Sequence, residues 1–318
     1  MANDGLKLDK TEEEKNRESE DDHHASSHQK PEHAKGEESE QEEGEPNEKG
    51  LPSQAAAVHE RIRADGKKEL ERDGFALLWS AIAAGITMSS SMVAKGLLQA
   101  HLPDSDVGFL VDSFGYTLGF ILVILARQQL FTENTVTAVL PVMSSPTLNN
   151  FGILMRLWGV VLLGNIIGSG LAATTFTFMP MFDSETHHAF LSIGHKVMEN
   201  SPWEMFSKGV IAGWLIATMV WVIPSADQAK VWIILIITYI VAIGDFTHII
   251  VGATEITYLV LNSDTSWTSA LFRFGIPVLF GNIIGGTFIF ALISHAQIRN
   301  DMHIQQKKPG RHGLRHKD

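Results

Sequence analysis

The sequence predicts an all-α membrane protein: six transmembrane helices in two inverted repeats of three, with the second and fifth spans interrupted. Three observations carry this. From Gly74 the chain is a series of six long apolar blocks. The pentapeptide Gly-Asn-Ile-Ile-Gly occurs twice, in "LLGNIIGSG" (Leu162–Gly170) and "LFGNIIGGT" (Leu279–Thr287). Two of the blocks carry polar and ionisable residues at their centres.

The whole-chain averages hide this division, since the mean hydropathy is +0.06 and the net charge -11. Residues 1–50 hold seventeen Asp and Glu against seven Lys and Arg and contain no aromatic residue. Such a segment cannot bury enough apolar surface to offset its ordering entropy, so it is expected to be a disordered acidic tail. It lacks the basic start and apolar core of a signal peptide. Its His23, His24, His28 and His33 read as part of a solvated tail rather than a metal site. Residues 51–73 are Ala-rich, with Glu and Lys or Arg at helical spacings, and are expected to form an amphipathic cytoplasmic helix. Residues 74–298 are the six-span domain and 299–318 a basic cytoplasmic tail. The chain has no cysteine, which excludes disulfides and thiolate metal sites.

A bilayer core about 30 Å thick needs about 20 apolar residues as helix. The blocks run Phe75–Leu98, Val107–Leu125 continuing as Thr135–Met143, Phe151–Met179, Met205–Ile223, Val231–Leu261 and Leu271–Ser294. Arg61, Arg63, Lys67, Lys68 and Arg72 precede the first, and Arg299, Lys307, Lys308, Arg311, Arg315 and Lys317 follow the last. The connections "HLPDSDVG" and "NSDTSWTSA" have no Lys or Arg, and the one near residues 180–202 has only Lys196. The positive-inside rule then puts both termini in the cytoplasm.

The repeat extends beyond the pentapeptide. Arg156 lies nine residues before Asn165, and Arg273 nine before Asn282, an offset of 117. Phe131 and Thr132 of "LFTENT" match Phe246 and Thr247 of "DFTHII" at an offset of 115. Span 2 thus resembles span 5, and span 3 resembles span 6. Three spans per copy is an odd number, so the second copy enters the membrane inverted, an arrangement that puts a pathway at the repeat interface. The glycines of the pentapeptides are expected to let spans 3 and 6 pack closely on the broken spans, and the asparagines to hydrogen-bond the freed backbone.

Span 2 is broken by Arg127, Gln128, Gln129, Thr132, Glu133 and Asn134. Lipid solvates neither such groups nor an irregular backbone, so they must face protein or a watery cavity. The competing reading is a cytoplasmic loop between two short helices, which would leave span 2 without a return partner. Span 5 is broken at Gly244, Asp245 and His248. A lone buried histidine is most often a hydrogen-bonded core residue. Its place in the matching break favours a functional reading instead, and an imidazole of ordinary pKa about 6.5 suits proton exchange with a weak acid.

"QQLFTENT", "RLWGVVLLGN", "GDFTH" and "GNIIGG" together resemble the formate/nitrite transporter family over about residues 70–298. The resemblance implies an aquaporin-like fold, a homopentamer, and one pore per subunit for small monovalent anions or their weak acids, such as formate, nitrite, lactate or hydrosulfide. It places Leu130, Phe131 and Thr132 in the loop that interrupts span 2 and makes His248 the central pore histidine. Asn282, with Asn165 as its match in the first half, becomes a supporting asparagine; Tyr116, Phe120 and Val241 become the apolar constrictions; Lys196 is a near match to a vestibule lysine. The chain departs from the family pattern where Arg127 replaces a glycine, Gln129 an acidic residue and Gly213 an asparagine.

The leading expectation is passage of a small weak acid. Protonation would lower the cost of dehydrating the anion, His248 would handle the proton, and Thr132 and Asn282 would replace water's hydrogen bonds. The alternative is a largely closed pore serving as a regulated or scaffold component, with the acidic tail binding a soluble partner. An enzyme is not expected: there is no intramembrane histidine pair for haem, no phosphate loop and no cysteine nucleophile, and no cofactor or metal is implied. Lys95 is expected to snorkel to the headgroups, with a vestibule role as the second choice. Glu255 is expected to face protein, with a subunit contact and a pore role equally open. The basic C-terminus is expected to meet anionic lipid rather than nucleic acid.

Overall fold

The computed structural model describes residues 54–307 and is helical throughout, with short connecting turns. The acidic tail expected over 1–50 lies outside the described residues, as does the end of the basic tail. Helix α1 is Gln54–Glu71, α2 Gly74–Met88, α3 Ser90–His101 and α4 Asp106–Leu125. After a break come two short helices, α5 (Phe131–Thr137) and α6 (Val139–Ser144). Then follow α7 (Leu148–Phe178), α8 (Ser184–Met198), α9 (Pro202–Val222), α10 (Lys230–Ile243) and α11 (Ile249–Leu261). The final stretch, α12 (Trp267–Ile298), alternates α-helical turns with π-helical segments at Ala270–Gly275 and Ile284–Ala291.

Among the described residues five helical stretches are long and apolar enough to cross a membrane: Gly74–His101, Asp106–Leu125, Leu148–Phe178, Pro202–Ser225 and Trp267–Ile298. The fifth apolar block of the sequence, Val231–Leu261, folds as the two shorter helices α10 and α11 because the chain breaks at residues 244–248. The helix starts follow ordinary capping chemistry. Asp73, Ser105, Thr147, Asp183 and Ser201 each turn a side-chain oxygen onto the first free amides, and Ser201 with Glu204 forms a reciprocal capping box. At Asp183 those same hydrogen bonds with Thr186 hold the carboxyl below the usual range.

The glycines of the Gly-Asn-Ile-Ile-Gly stretches pack on α2 and α9, not on the broken spans the sequence suggested; only Gly286, just past the second stretch, meets a broken span, at Thr135 of α5. A Cβ on Gly168 would lie 2.1 Å from the Ile82 carbonyl oxygen, and one on Gly285 2.1 Å from that of Val210. From the other side, a Cβ on Gly85 would lie 2.2 Å from the Asn165 oxygen, and one on Gly213 2.3 Å from the Asn282 oxygen. Gly213 is therefore a contact point between two backbones, with no room for the asparagine of the family pattern.

The same pairing reaches α1 and α8. Arg156 on α7 donates to the Arg72 carbonyl just past α1 (2.8 Å), and Arg273 on α12 donates to the Met198 carbonyl that ends α8 (3.2 Å). Helix α1 buries Ala56, His59, Ile62 and Gly66, one stripe of an otherwise charged helix. Gly66 packs on the Thr137 backbone at the end of α5.

Candidate functional site

The two breaks are built alike. Helix α4 ends at Ala126 (φ -77°, ψ -2°) and α10 at Gly244 (φ -78°, ψ -3°). The next residue is left-handed in both, Arg127 at φ 52° and Asp245 at φ 53°. The loops close through Gln128 N–H to Val123 O (3.1 Å) and Phe246 N–H to Val241 O (3.0 Å). Extended residues then start the next helices, Leu130 (φ -101°, ψ 128°) for α5 and His248 (φ -117°, ψ 127°) for α11. Every one of these pairs differs by 118 positions. This corrects the offset of 115 read from the letters Phe-Thr: the counterpart of His248 is Leu130, and that of Thr132 is Ile250. It also explains the family glycine where Arg127 stands, since a left-handed backbone favours glycine. The break is not a loop between separate helices on one side: Gln129, Leu130, Phe131 and Thr132 are all buried.

Asn165 and Asn282 satisfy the interrupted backbone. The Asn165 amide oxygen accepts from Phe131 N (2.9 Å), and its nitrogen donates to the Gln129 and Ala81 carbonyls (both 2.8 Å). The Asn282 oxygen accepts from Ile249 N (2.9 Å), and its nitrogen donates to the Thr247 (3.0 Å) and Gly209 (2.9 Å) carbonyls. Both side chains are fully buried. With their donors committed to backbone, they hold the breaks in place and have no proton to offer a passing molecule.

Where the breaks meet, His248 Nε2 lies 2.8 Å from Thr132 Oγ1. His248 Nδ1 caps α11 by accepting from Val251 N (3.4 Å). An imidazole that accepts at Nδ1 carries its proton at Nε2, so His248 donates to Thr132 as a neutral ring. Thr135 Oγ1 in turn donates to the Thr132 carbonyl (2.7 Å), and Thr287 from a π-helical segment donates to the Thr135 carbonyl (2.7 Å). The Phe120 ring stands edge-on to His248 at 5.0 Å, with Tyr116 beyond it at 5.6 Å. Val241 lines the same small cavity as Tyr116 and His248. Of the residues proposed from sequence, the structure thus gathers Thr132, His248, Phe120, Tyr116 and Val241. Phe131 is set apart, against Trp158 of α7 at 5.9 Å.

Cavities lie on both sides of this constriction. On the α8 side a cavity of about 40 Å³ above His248 is lined by Lys95, Lys196, Asp245 and Glu255, and Lys95 and Lys196 also line a wide outer hollow of about 860 Å³. On the α1 side a cavity of about 340 Å³ is lined by Arg61, Asp65, Arg127, Glu133 and Lys230. Lys95 does not snorkel to the surface as expected. It is 9% exposed and shares the Phe109 ring with Lys196, their Nζ atoms 5.8 and 4.0 Å from its centroid. Of the readings the sequence left open for Glu255, its place in the lining of the small cavity agrees with the pore-facing one.

Sequence reasoning passed over Asp112 and the buried pair of His59 on α1 with His295 on α12 (3.1 Å). Burial first, and then His295, pull the His59 imidazole down to about 4. The i, i+3, i+6 spacing of Ala56, His59 and Ile62 was the available signal that His59 points inward.

The formate/nitrite transporter family model matches residues 56–296. The chain is 59% identical over 265 residues to inner membrane protein YfdC of Escherichia coli (strain K12), covering 83% of this chain and 86% of that protein. It is 24% identical over 239 residues to formate channel FocA of Haemophilus influenzae, covering 67% and 83%. Among solved structures, it superposes on a pentameric formate channel with formate bound with a TM-score of 0.62 at 22% identity, covering 71% of this chain and 98% of the channel. An ion channel of the same fold gives a TM-score of 0.64 at 18% identity, covering 76% and 98%.

Proposed function

This chain belongs to the formate/nitrite transporter family, and from that premise we propose that it carries small monovalent anions, as their conjugate weak acids, through a pore within each subunit. Family membership puts it among channels and transporters rather than enzymes. The carrying observation is the His248–Thr132 contact at 2.8 Å, a polar pair buried beside the apolar side chains of Phe120 and Val241. An anion arriving from the α8 side meets Lys196 and Lys95, which favour its entry. Crossing the apolar constriction as a bare ion would cost many kcal/mol of hydration, so the neutral acid is the species that crosses. The Nε2–H of His248 and the hydroxyl of Thr132 then replace the water it leaves behind.

The architecture behind this reading is two inverted three-span repeats. It is supported by the recurrence of the break, the asparagine bonds and the glycine contacts at near-constant offsets. We read the protein as a homopentamer in a bacterial inner membrane with both termini cytoplasmic, so that the α1 cavity faces the cytoplasm and the α8 cavity the periplasm. Broad apolar exposure along α7 and α12, including Leu163, Leu171, Phe280 and Phe288, suits lipid and neighbouring subunits. The acidic tail remains a candidate contact for a soluble partner.

The test is a flux screen of formate and nitrite against pH in proteoliposomes. Wild type should carry at least one of them, and His248→Ala should change its rate or its pH dependence. A wild type that moves none of the small acids sinks the substrate reading. A specific observation favours a second reading, that of a pore held shut and opened by a signal. Helix α1 lies across the cytoplasmic cavity with Ile62 buried in the core and Arg61 bonded to the Pro224 carbonyl (3.2 Å). Flux that appears only after residues 1–71 are removed would support it.

A further inference from the structure

On α11, His248, Val251, Gly252 and Glu255 follow at helical spacing and all line the small cavity. Glu255 therefore stands about 10 Å along the axis from His248, at a rise of about 1.5 Å per residue, on the α8 side of it. Its side chain is 5% exposed, and among the described residues no hydrogen bond or ion pair fixes its carboxyl. Lys95 is a buried cation that lines the same cavity and makes no ion pair among the described residues.

The other charged and titratable groups around the cavity are accounted for. Asp245 is bonded to Lys208 of α9 (2.9 Å). From α4, Tyr116 lines the cavity and Asp112 the wide hollow, and among the described residues the Tyr116 hydroxyl and one Asp112 carboxyl oxygen are buried with no hydrogen-bond partner. From α8, Lys196 lies over Phe109, while His195 is turned to Asp264 (3.0 Å). From α12, Arg273 is bonded to Met198. Helix α2 has no charged residue, and α7 has only Arg156, committed to Arg72.

We propose that Glu255 is the proton donor that converts the entering anion to its acid before the His248 constriction, a role that rests on the weak-acid reading above. The anion settles beside Lys95 and Lys196. The Glu255 carboxyl O–H bond breaks, the proton passes to a carboxylate or nitrite oxygen of the permeant, and the neutral acid moves on to His248. The Glu255 carboxylate left behind is compensated by Lys95 and takes a new proton from hydronium in the outer solution through the wide hollow. Charge balances at each step: anion and carboxyl become acid and carboxylate, then carboxylate and hydronium become carboxyl and water. The cavity of about 40 Å³ has room for the permeant or for a bridging water, which needs about 10–15 Å³.

The experiment uses the full-length protein in proteoliposomes with labelled formate as probe. Glu255→Gln keeps shape and hydrogen bonding but cannot cycle a proton. Near neutral pH its flux should fall about a hundredfold, the lower end of what a positioned proton donor supplies. Flux should recover as the external pH approaches formic acid's own pKa, where the acid enters already neutral, and Glu255→Asp should restore part of it. Unchanged flux, or a loss by the same factor at every pH, overturns the proposal. Should wild type carry no acid at all, the transport reading fails and the donor is judged separately by infrared difference spectroscopy. Adding formate to wild type should then deplete a protonated-carboxyl band that Glu255→Gln lacks, and no such depletion overturns the donor.

Discussion

The breaks at 126–130 and 244–248 share a skeleton and almost nothing else. Their backbone angles agree within a few degrees at the left-handed residue, and the same asparagine bonds hold each. Yet Leu130 stands where the other has His248, Arg127 where the other has Asp245, and Thr132 where the other has Ile250. The geometry is common because each interrupted helix leaves the same backbone groups to be satisfied where water is absent. The chemistry differs because one break faces a cavity with Arg127 and Glu133, and the other a cavity with His248 and Asp245. Among the described residues, Thr132 and His248 form the side-chain hydrogen bond that joins the two breaks.

The largest test of that equivalence is Asn165→Ala against Asn282→Ala. Each removes three buried hydrogen bonds and leaves backbone groups without partners, at a cost of about 3 kcal/mol or more. Unfolding of the purified protein in detergent should report similar losses for both. If only one were destabilised strongly, the breaks would not be structural equals.

The two mouths differ in a way that pH should expose. Helix α1 buries His59, whereas the buried face of α8 is Thr186, Ala189, Phe190, Ile193 and Gly194. His59 is held down at about 4 from 6.5, so the docked helix favours the neutral ring. Its stabilisation is full above about 6.5 and is lost as the pH falls toward about 4, when the undocked imidazole takes up the proton the docked one refuses. The loss is on the order of 2–3 kcal/mol. Hydrogen exchange over Gln54–Glu71 should accelerate through that window in wild type and not in His59→Phe. Exchange over α8 should stay flat.

Most of the framework was legible because apolar length and repetition are one-dimensional signals. The pentapeptides, Arg156 with Arg273, and the polar centres of two blocks located the repeat and both breaks. The register of the breaks was not legible. Phe-Thr recurs at 131 and 246 by chance, while the φ of Arg127 and Asp245 that sets the register leaves no mark in side-chain letters. The sequence likewise could not say whether Lys95 and Glu255 face lipid, protein or cavity, since that depends on helix rotation. His59 was missed because a histidine on a charged helix does not announce a partner 236 residues away.

Close packing offers a smaller test of the comparison. Gly85→Ala and Gly213→Ala each push a methyl into the carbonyl of the facing asparagine, 2.2 and 2.3 Å away. Helix α2 must then part from α7, and α9 from α12, at about 1–3 kcal/mol. Gly213→Asn, which restores the family residue, should cost more than Gly213→Ala in thermal unfolding. Tolerance of the asparagine would mean that α9 and α12 can separate without disturbing the bonds of Asn282.

The smallest effect should differ in size between the two breaks. Arg127 and Asp245 both hold a left-handed backbone that glycine adopts more easily, by about 1 kcal/mol. The Arg127 side chain makes no hydrogen bond or ion pair among the described residues, so Arg127→Gly should raise the melting temperature by a few degrees. Asp245→Gly gains the same backbone relief and loses the bond to Lys208 (2.9 Å), a half-exposed pair worth at most about 1 kcal/mol. Lys208 keeps its bond to the Asn200 side-chain oxygen (2.8 Å). The melting temperature of Asp245→Gly should therefore rise less than that of Arg127→Gly, or not at all. A rise equal to that of Arg127→Gly would mean that the Lys208 pair contributes nothing to holding the second break.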